Sequence, residues 1–115
     1  MKSHLLAAVL SLAAVVPVAR AYATSKPTII LLHGAFQDGH STWSKVKPEL
    51  EAKGYKVVVV TLPGRDGDGV DPHSLTLETY RDTVLKAINA EKAPVVLVGH
   101  SFGGITITNV AEAVP

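Results

Sequence analysis

Cysteine is absent from the 115 residues. That absence excludes a disulfide framework, a cysteine-based zinc site and thiol catalysis. Runs of like charge are absent too: eleven Lys and Arg against ten Asp and Glu leave a formal charge of +1, dispersed along the chain. Without a basic patch there is no electrostatic footprint for nucleic acid or an anionic membrane, so binding is expected in a pocket. Residues 24–115 contain no repeat of solenoid period and no Gly/Ser-rich or Pro-rich linker, which predicts a single structural unit. What is present is 47% hydrophobic residues with 9 Gly and 7 Pro, the composition of a folded globular chain.

The longest apolar run, residues 5–18, is broken only by Ser11 and Pro17. Its fourteen residues fall short of the roughly 20 needed to span a bilayer. Preceded by Met1 and Lys2 and followed by Ala19-Arg20-Ala21-Tyr22-Ala23, it has the order of a secretory signal peptide. Residues 1–23 are therefore expected to be a leader cleaved after Ala21 or Ala23, both of which complete an A-x-A site. Export predicts a secreted or periplasmic location with no stable membrane insertion after cleavage. Loss of Lys2 and Arg20 leaves nine basic and ten acidic residues, a charge of −1.

Three aliphatic runs, residues 28–32 (TIILL), 57–61 (VVVVT) and 95–98 (VVLV), are continuous rather than alternating, which predicts parallel strands buried on both faces. Helical periods separate them. Residues 42–53 put Trp43, Val46 and Leu50 on one face and end at Gly54, with Pro48 either bending the helix or marking its first turn. Residues 76–90 carry Leu77, Tyr80, Val84, Ala87 and Ile88 on one stripe, with Thr76 as N-cap and Glu78 in the first turn. A further apolar stretch, 105–114, follows. The alternation predicts an α/β fold, a parallel sheet with helices on both faces.

The third run leads directly into Gly99-His100-Ser101-Phe102-Gly103-Gly104, a G-x-S-x-G placed between a buried strand and a helix. This spacing describes a turn so sharp that Ser101 is strained and its hydroxyl projects from the carboxyl edge of the sheet. Side chains at Gly99 and Gly103 would collide with the crossing chain. The Phe102 N–H, at a helix start, becomes a candidate oxyanion donor. A serine that merely capped the helix would not need glycines on both sides or a third at Gly104. At the end of the first run stands Leu32-His33-Gly34-Ala35-Phe36, and parallel strands bring this loop to the same rim. The small residue after Gly34 leaves the Ala35 N–H free to face the same spot, completing a two-donor oxyanion hole. His33 is expected to pack and bond its own loop rather than act in catalysis. The acidic loop 66–71 fails the calcium-loop pattern, having Val70 at the fifth position and Leu77 at the twelfth, and is expected to be a solvated turn near the pocket rim, with no metal bound.

HGAFQDGHSTW, LPGRDGDG and VVLVGHSFGG in this order resemble the N-terminal part of the α/β-hydrolase superfamily. W-x-x-V-x-P-x-L-x-x-x-G at 43–54 is most similar to its compact, cofactor-free branch of secreted bacterial esterases, plant methylesterases and hydroxynitrile lyases. The resemblance covers 27–115. It implies Ser101 as nucleophile, Ala35 and Phe102 as oxyanion hole, a strand order of second, first, third, no cofactor, and a small-molecule ester as substrate. The lyases carry a hydroxylated residue where this chain has Gly34, which matches the esterases.

The triad order of this fold is Ser, acid, His. After Ser101 only Glu112 is acidic and no histidine follows. His100 is expected on the opposite side of the turn from Ser101, and His40 and His73 in loops. The sequence is therefore read as an incomplete domain lacking the acid and His of its triad, and inactive by itself. Alternatives left open are a lyase or perhydrolase of the same fold and a non-catalytic ligand-binding member.

Overall fold

A computed structural model describes residues 26–114; the expected leader, 1–23, lies outside them. β1 (Thr28–Leu32) is followed by α1 (Gly39–Trp43), α2 (Val46–Ala52), β2 (Val57–Val60), a 3₁₀ turn (Pro72–Ser74), α3 (Leu77–Asn89), β3 (Val95–Gly99) and α4 (Phe102–Ala113). The sheet order is β2-β1-β3, all parallel, with Leu32 opposite both Val60 and Gly99. This is the expected α/β architecture and strand order. Because the strands are parallel and Leu32 is in register with both neighbours, all three end on one rim, where the loops of interest emerge.

Alternate residues of the sheet serve its two faces. Ile30, Leu32 and Val60 pack with Leu62, with Val84 of α3 and with Val110 of α4, each buried side chain contributing about 1.5–3 kcal/mol by transfer from water. On the opposite face a β-carbon on Gly39 would come within 2.4 Å of the Val59 side chain, so α1 lies directly on β2. Central β1 is buried throughout. β3 departs from the expectation of burial on both faces: Val96 and Val98 remain 45% and 37% exposed. The reason is positional, since β3 is an edge strand among the described residues and α1 and α2 pack chiefly on β2 and β1.

The expected 42–53 helix is two helices. Asp38 caps α1 by accepting the Ser41 N–H at 2.8 Å, which starts the helical conformation before residue 42. A break at Ser44 and Lys45 then makes Pro48 the third residue of α2, where a missing N–H costs no intrahelical bond. Gly54 lies just past the end of α2 with φ +87°, as its place after the run requires. α3 starts as expected, Thr76 and Thr79 each accepting the other's backbone N–H.

Candidate active site

Ser101 stands between β3 and α4 with φ +54° and ψ −117°, a region costly for any residue with a β-carbon. The surroundings explain how the turn is held. A β-carbon on Gly99 would fall 2.4 Å from the Gly103 carbonyl, and one on Gly103 would fall 2.6 Å from the Leu32 carbonyl oxygen. Both contacts are with backbone, so the chain closes only with glycine there. Gly104 differs, with open space around its β position. Gly103 and Gly104 donate their N–H groups to His100 and Ser101 carbonyls at 2.9 and 2.8 Å. Ser101 is exposed, and its side chain makes no capping bond to α4. Its hydroxyl is not spent on the helix.

The loop after β1 reaches this turn. A β-carbon on Gly34 would lie 3.2 Å from Ser101 Cβ, 3.2 Å from His100 Nδ1 and 2.8 Å from Gln37 Oε1. Gly34 is thus wedged against Ser101. The His100 ring, expected on the opposite side of the turn from the serine, abuts this same glycine, and its Nδ1 faces Gln37 Oε1 at 3.3 Å. Ala35 is exposed. Among the described residues, no backbone acceptor engages the N–H of Ala35 or of Phe102. The Phe102 side chain turns the other way and meets Tyr80 edge-on, with ring centres 5.1 Å apart.

His33 is fully buried and does what its position predicts. Its Nδ1 contacts the Gly34 carbonyl oxygen at 2.8 Å, and its Nε2 accepts the Leu62 N–H at 2.9 Å. The second bond requires a bare Nε2, so the proton is on Nδ1 and the ring is neutral. Burial pushes the His33 pKa down, the nearby Arg65 guanidinium adds to this, and the Gly34 carbonyl and Asp38 carboxylate oppose it. In a trans peptide C=O and N–H point in opposite directions. Holding the Gly34 carbonyl toward His33 therefore turns the Ala35 N–H away from the ring.

Phe36, also at positive φ (+58°), is fully exposed and borders an open cleft of about 520 Å³ lined by Gln37, Asp38, Gly64, Arg65 and Asp66. In the acidic loop beside it, Asp68 accepts the N–H groups of Gly64, Arg65 and Val70 at 2.7, 2.9 and 2.9 Å. Those bonds, the Val70 one foremost, hold its carboxyl below the usual range. Its acidity organises a turn. His40 lines a separate shallow cleft with Trp43, Lys47 and Val59, and His73 belongs to the 3₁₀ turn. Sequence reasoning missed Gln37 and Arg65, whose contacts lie beside the positive φ of Phe36, a conformation that no glycine marks.

A family model described as alpha/beta hydrolase family matches residues 29–114. Among curated proteins, the chain is similar to an alpha-hydroxynitrile lyase of Arabidopsis thaliana, 34% identical over 96 residues, and to methylesterase 1 of the same plant, 39% identical over 99 residues. The alignments cover 78% of this chain and 36% and 35% of those proteins, so the chain spans about a third of their length. Among solved structures, it is similar to an extracellular alpha/beta-hydrolase from a Paenibacillus species described as sharing structural and functional homology with tobacco salicylic acid binding protein 2. That match has a TM-score of 0.67 and 28% identity, and covers 78% of this chain and 36% of that one. The β2-β1-β3 sheet and the turn at Ser101 accord with the match to nearly every described residue, and the chain belongs to the alpha/beta hydrolase family.

Proposed function

We propose that this chain is the nucleophile-bearing part of a serine hydrolase of small carboxylic esters. The observation that carries the reading is Ser101 itself: strained, exposed, unspent as a cap, and pressed against Gly34 of the loop that bears the Ala35 N–H. In this reading the turn 99–104 is a nucleophile elbow. Ser101 Oγ attacks the ester carbonyl carbon as its proton passes to a histidine base, and the carbonyl oxygen becomes an oxyanion held by the N–H groups of Ala35 and Phe102. Collapse expels the alcohol, which takes the proton, and water then releases the acid from the acyl-serine. No step calls for a cofactor.

The base is assigned to a segment beyond these residues, because the triad order of this fold sets the histidine after the acid and, among the described residues, neither histidine near the turn is hydrogen-bonded to Ser101. His33 uses both nitrogens, and His100 turns Nδ1 to Gln37. The 115-residue chain alone is accordingly expected to be inactive. The similarity to an alpha-hydroxynitrile lyase supports a second reading, a lyase on the same scaffold. Gly34 favours the ester hydrolase, since a β-carbon there would crowd Ser101 and His100 at 3.2 Å and displace the Gln37 amide oxygen, 2.8 Å away, so the hydroxylated side chain the lyases carry would require these groups to shift. A fluorophosphonate probe tests the proposal: the full-length protein is expected to be labelled at Ser101. Labelling at another residue, or none, would overturn it.

The protein is further proposed to be exported. Among the described residues no helix is long and apolar enough to cross a membrane, and the Paenibacillus relative is extracellular. N-terminal sequencing of material from the native host is expected to begin at Tyr22 or Thr24. Recovery of intact Met1 in the membrane fraction would contradict export.

A further inference from the structure

Gly34 stands where a side chain would crowd Ser101 and His100 and displace the Gln37 amide oxygen. Without a β-carbon its backbone is also the most permissive in the loop, yet the aim of the Ala35 N–H depends on how the peptides on both sides of Gly34 are turned. The downstream peptide is held by His33, through the Gly34 carbonyl. The upstream peptide is held by Gln37, whose Oε1 accepts the Gly34 N–H at 3.1 Å.

Phe36, at φ +58°, stands between Gly34 and Gln37, and the Gln37 side chain folds back onto the Gly34 N–H. Because the atom facing the Gly34 N–H must accept, it is the amide oxygen, so His100 Nδ1, 3.3 Å from it, carries the hydrogen it presents. The Gln37 main-chain carbonyl accepts from Arg65 Nε at 2.7 Å, which fastens the residue to the loop after β2. Gln37 thus touches three loops at the rim of the sheet.

We infer that Gln37 is a positioning residue of the serine site: its amide oxygen, shared between the Gly34 N–H and His100 Nδ1–H, keeps the Ala35 N–H aimed beside Ser101 before substrate arrives. The inference rests on the serine-hydrolase reading. A donor that matters most to the oxyanion contributes to kcat rather than to substrate binding. Loosening its aim is therefore expected to lower kcat with little change in KM, whereas loss of general stability would move the melting temperature.

The test uses the full-length protein with Gln37→Met, which keeps the length and removes the acceptor, and Gln37→Ala as a second variant. Gln37 is exposed, so neither substitution disturbs the core. In both, kcat for ester hydrolysis and the rate of fluorophosphonate labelling at Ser101 are expected to fall about 10–100-fold. KM is expected to stay within about threefold and the melting temperature within about 2 °C. A kcat within twofold of wild type, or a loss shared among kcat, KM and melting temperature, would overturn the positioning role. If the wild-type protein neither hydrolyses esters nor labels at Ser101, the hydrolase reading fails and the positioning role with it; an active wild type indifferent to Gln37 overturns the positioning role alone.

Discussion

Replacing Ser101 by alanine in the full-length protein is expected to lower kcat for ester hydrolysis by at least about 10⁴-fold, with the melting temperature unchanged within about 2 °C. The loss corresponds to about 5.5 kcal/mol of transition-state stabilisation. A methyl group offers no electron pair to the carbonyl carbon, so the acyl-serine cannot form. Folding is expected to be untouched because the Ser101 side chain makes no capping bond to α4, and alanine occupies φ +54° with the same β-carbon as serine. What remains is the contribution of the Ala35 and Phe102 N–H groups acting on bound substrate with water as the nucleophile. Steady-state kinetics beside a thermal melt decides the matter. A variant keeping a tenth of the activity would assign the attack to another group, and a variant that melts early would make Ser101 a structural residue.

The strands were the most legible part of the fold, because consecutive β-branched residues such as 57–60 have few other places to go than a buried parallel sheet. The turn at Ser101 was legible for a related reason: glycines at 99 and 103 are where backbone meets backbone within 3 Å of a would-be β-carbon, a steric demand that leaves a mark in the sequence. Gly104 shows the limit of that inference, since the described structure leaves room for a side chain there. The two helices after β1 are not legible as two, because the Asp38 cap starts the first before residue 42 and the break at Ser44 and Lys45 interrupts a run whose apolar spacing is continuous. The contacts of Gln37 were not legible. They accompany a phenylalanine at positive φ, which local sequence disfavours and only the assembled rim sustains. Exposure of Val96 and Val98 likewise follows from which strand is at the edge, and an apolar run does not carry that information.

His33 joins fold and site, and removing it is expected to have the largest effect on stability. In His33→Ala the buried Leu62 N–H loses its acceptor and the ring leaves a cavity, together costing about 3 kcal/mol. The Gly34 carbonyl is released as well, so activity should fall with stability. The same ring predicts a pH dependence. Its pKa in the folded protein lies below the ordinary 6.5, so between the two values the unfolded chain binds a proton that the folded one does not. Stability from this group is complete above about pH 6.5 and is lost as pH falls below that value toward the folded-state pKa, with a slope of at most about 1.4 kcal/mol per pH unit. His33→Gln, which retains an amide acceptor and cannot titrate, is expected to be less stable at pH 7.5 but to lose less on acidification to pH 5.5. Denaturant unfolding of the wild-type and Gln variant of the full-length protein at both pH values reads the difference directly. Equal losses on acidification would mean that His33 is protonated as readily inside the fold as outside it, and the neutral ring bridging Gly34 and Leu62 would have to be abandoned.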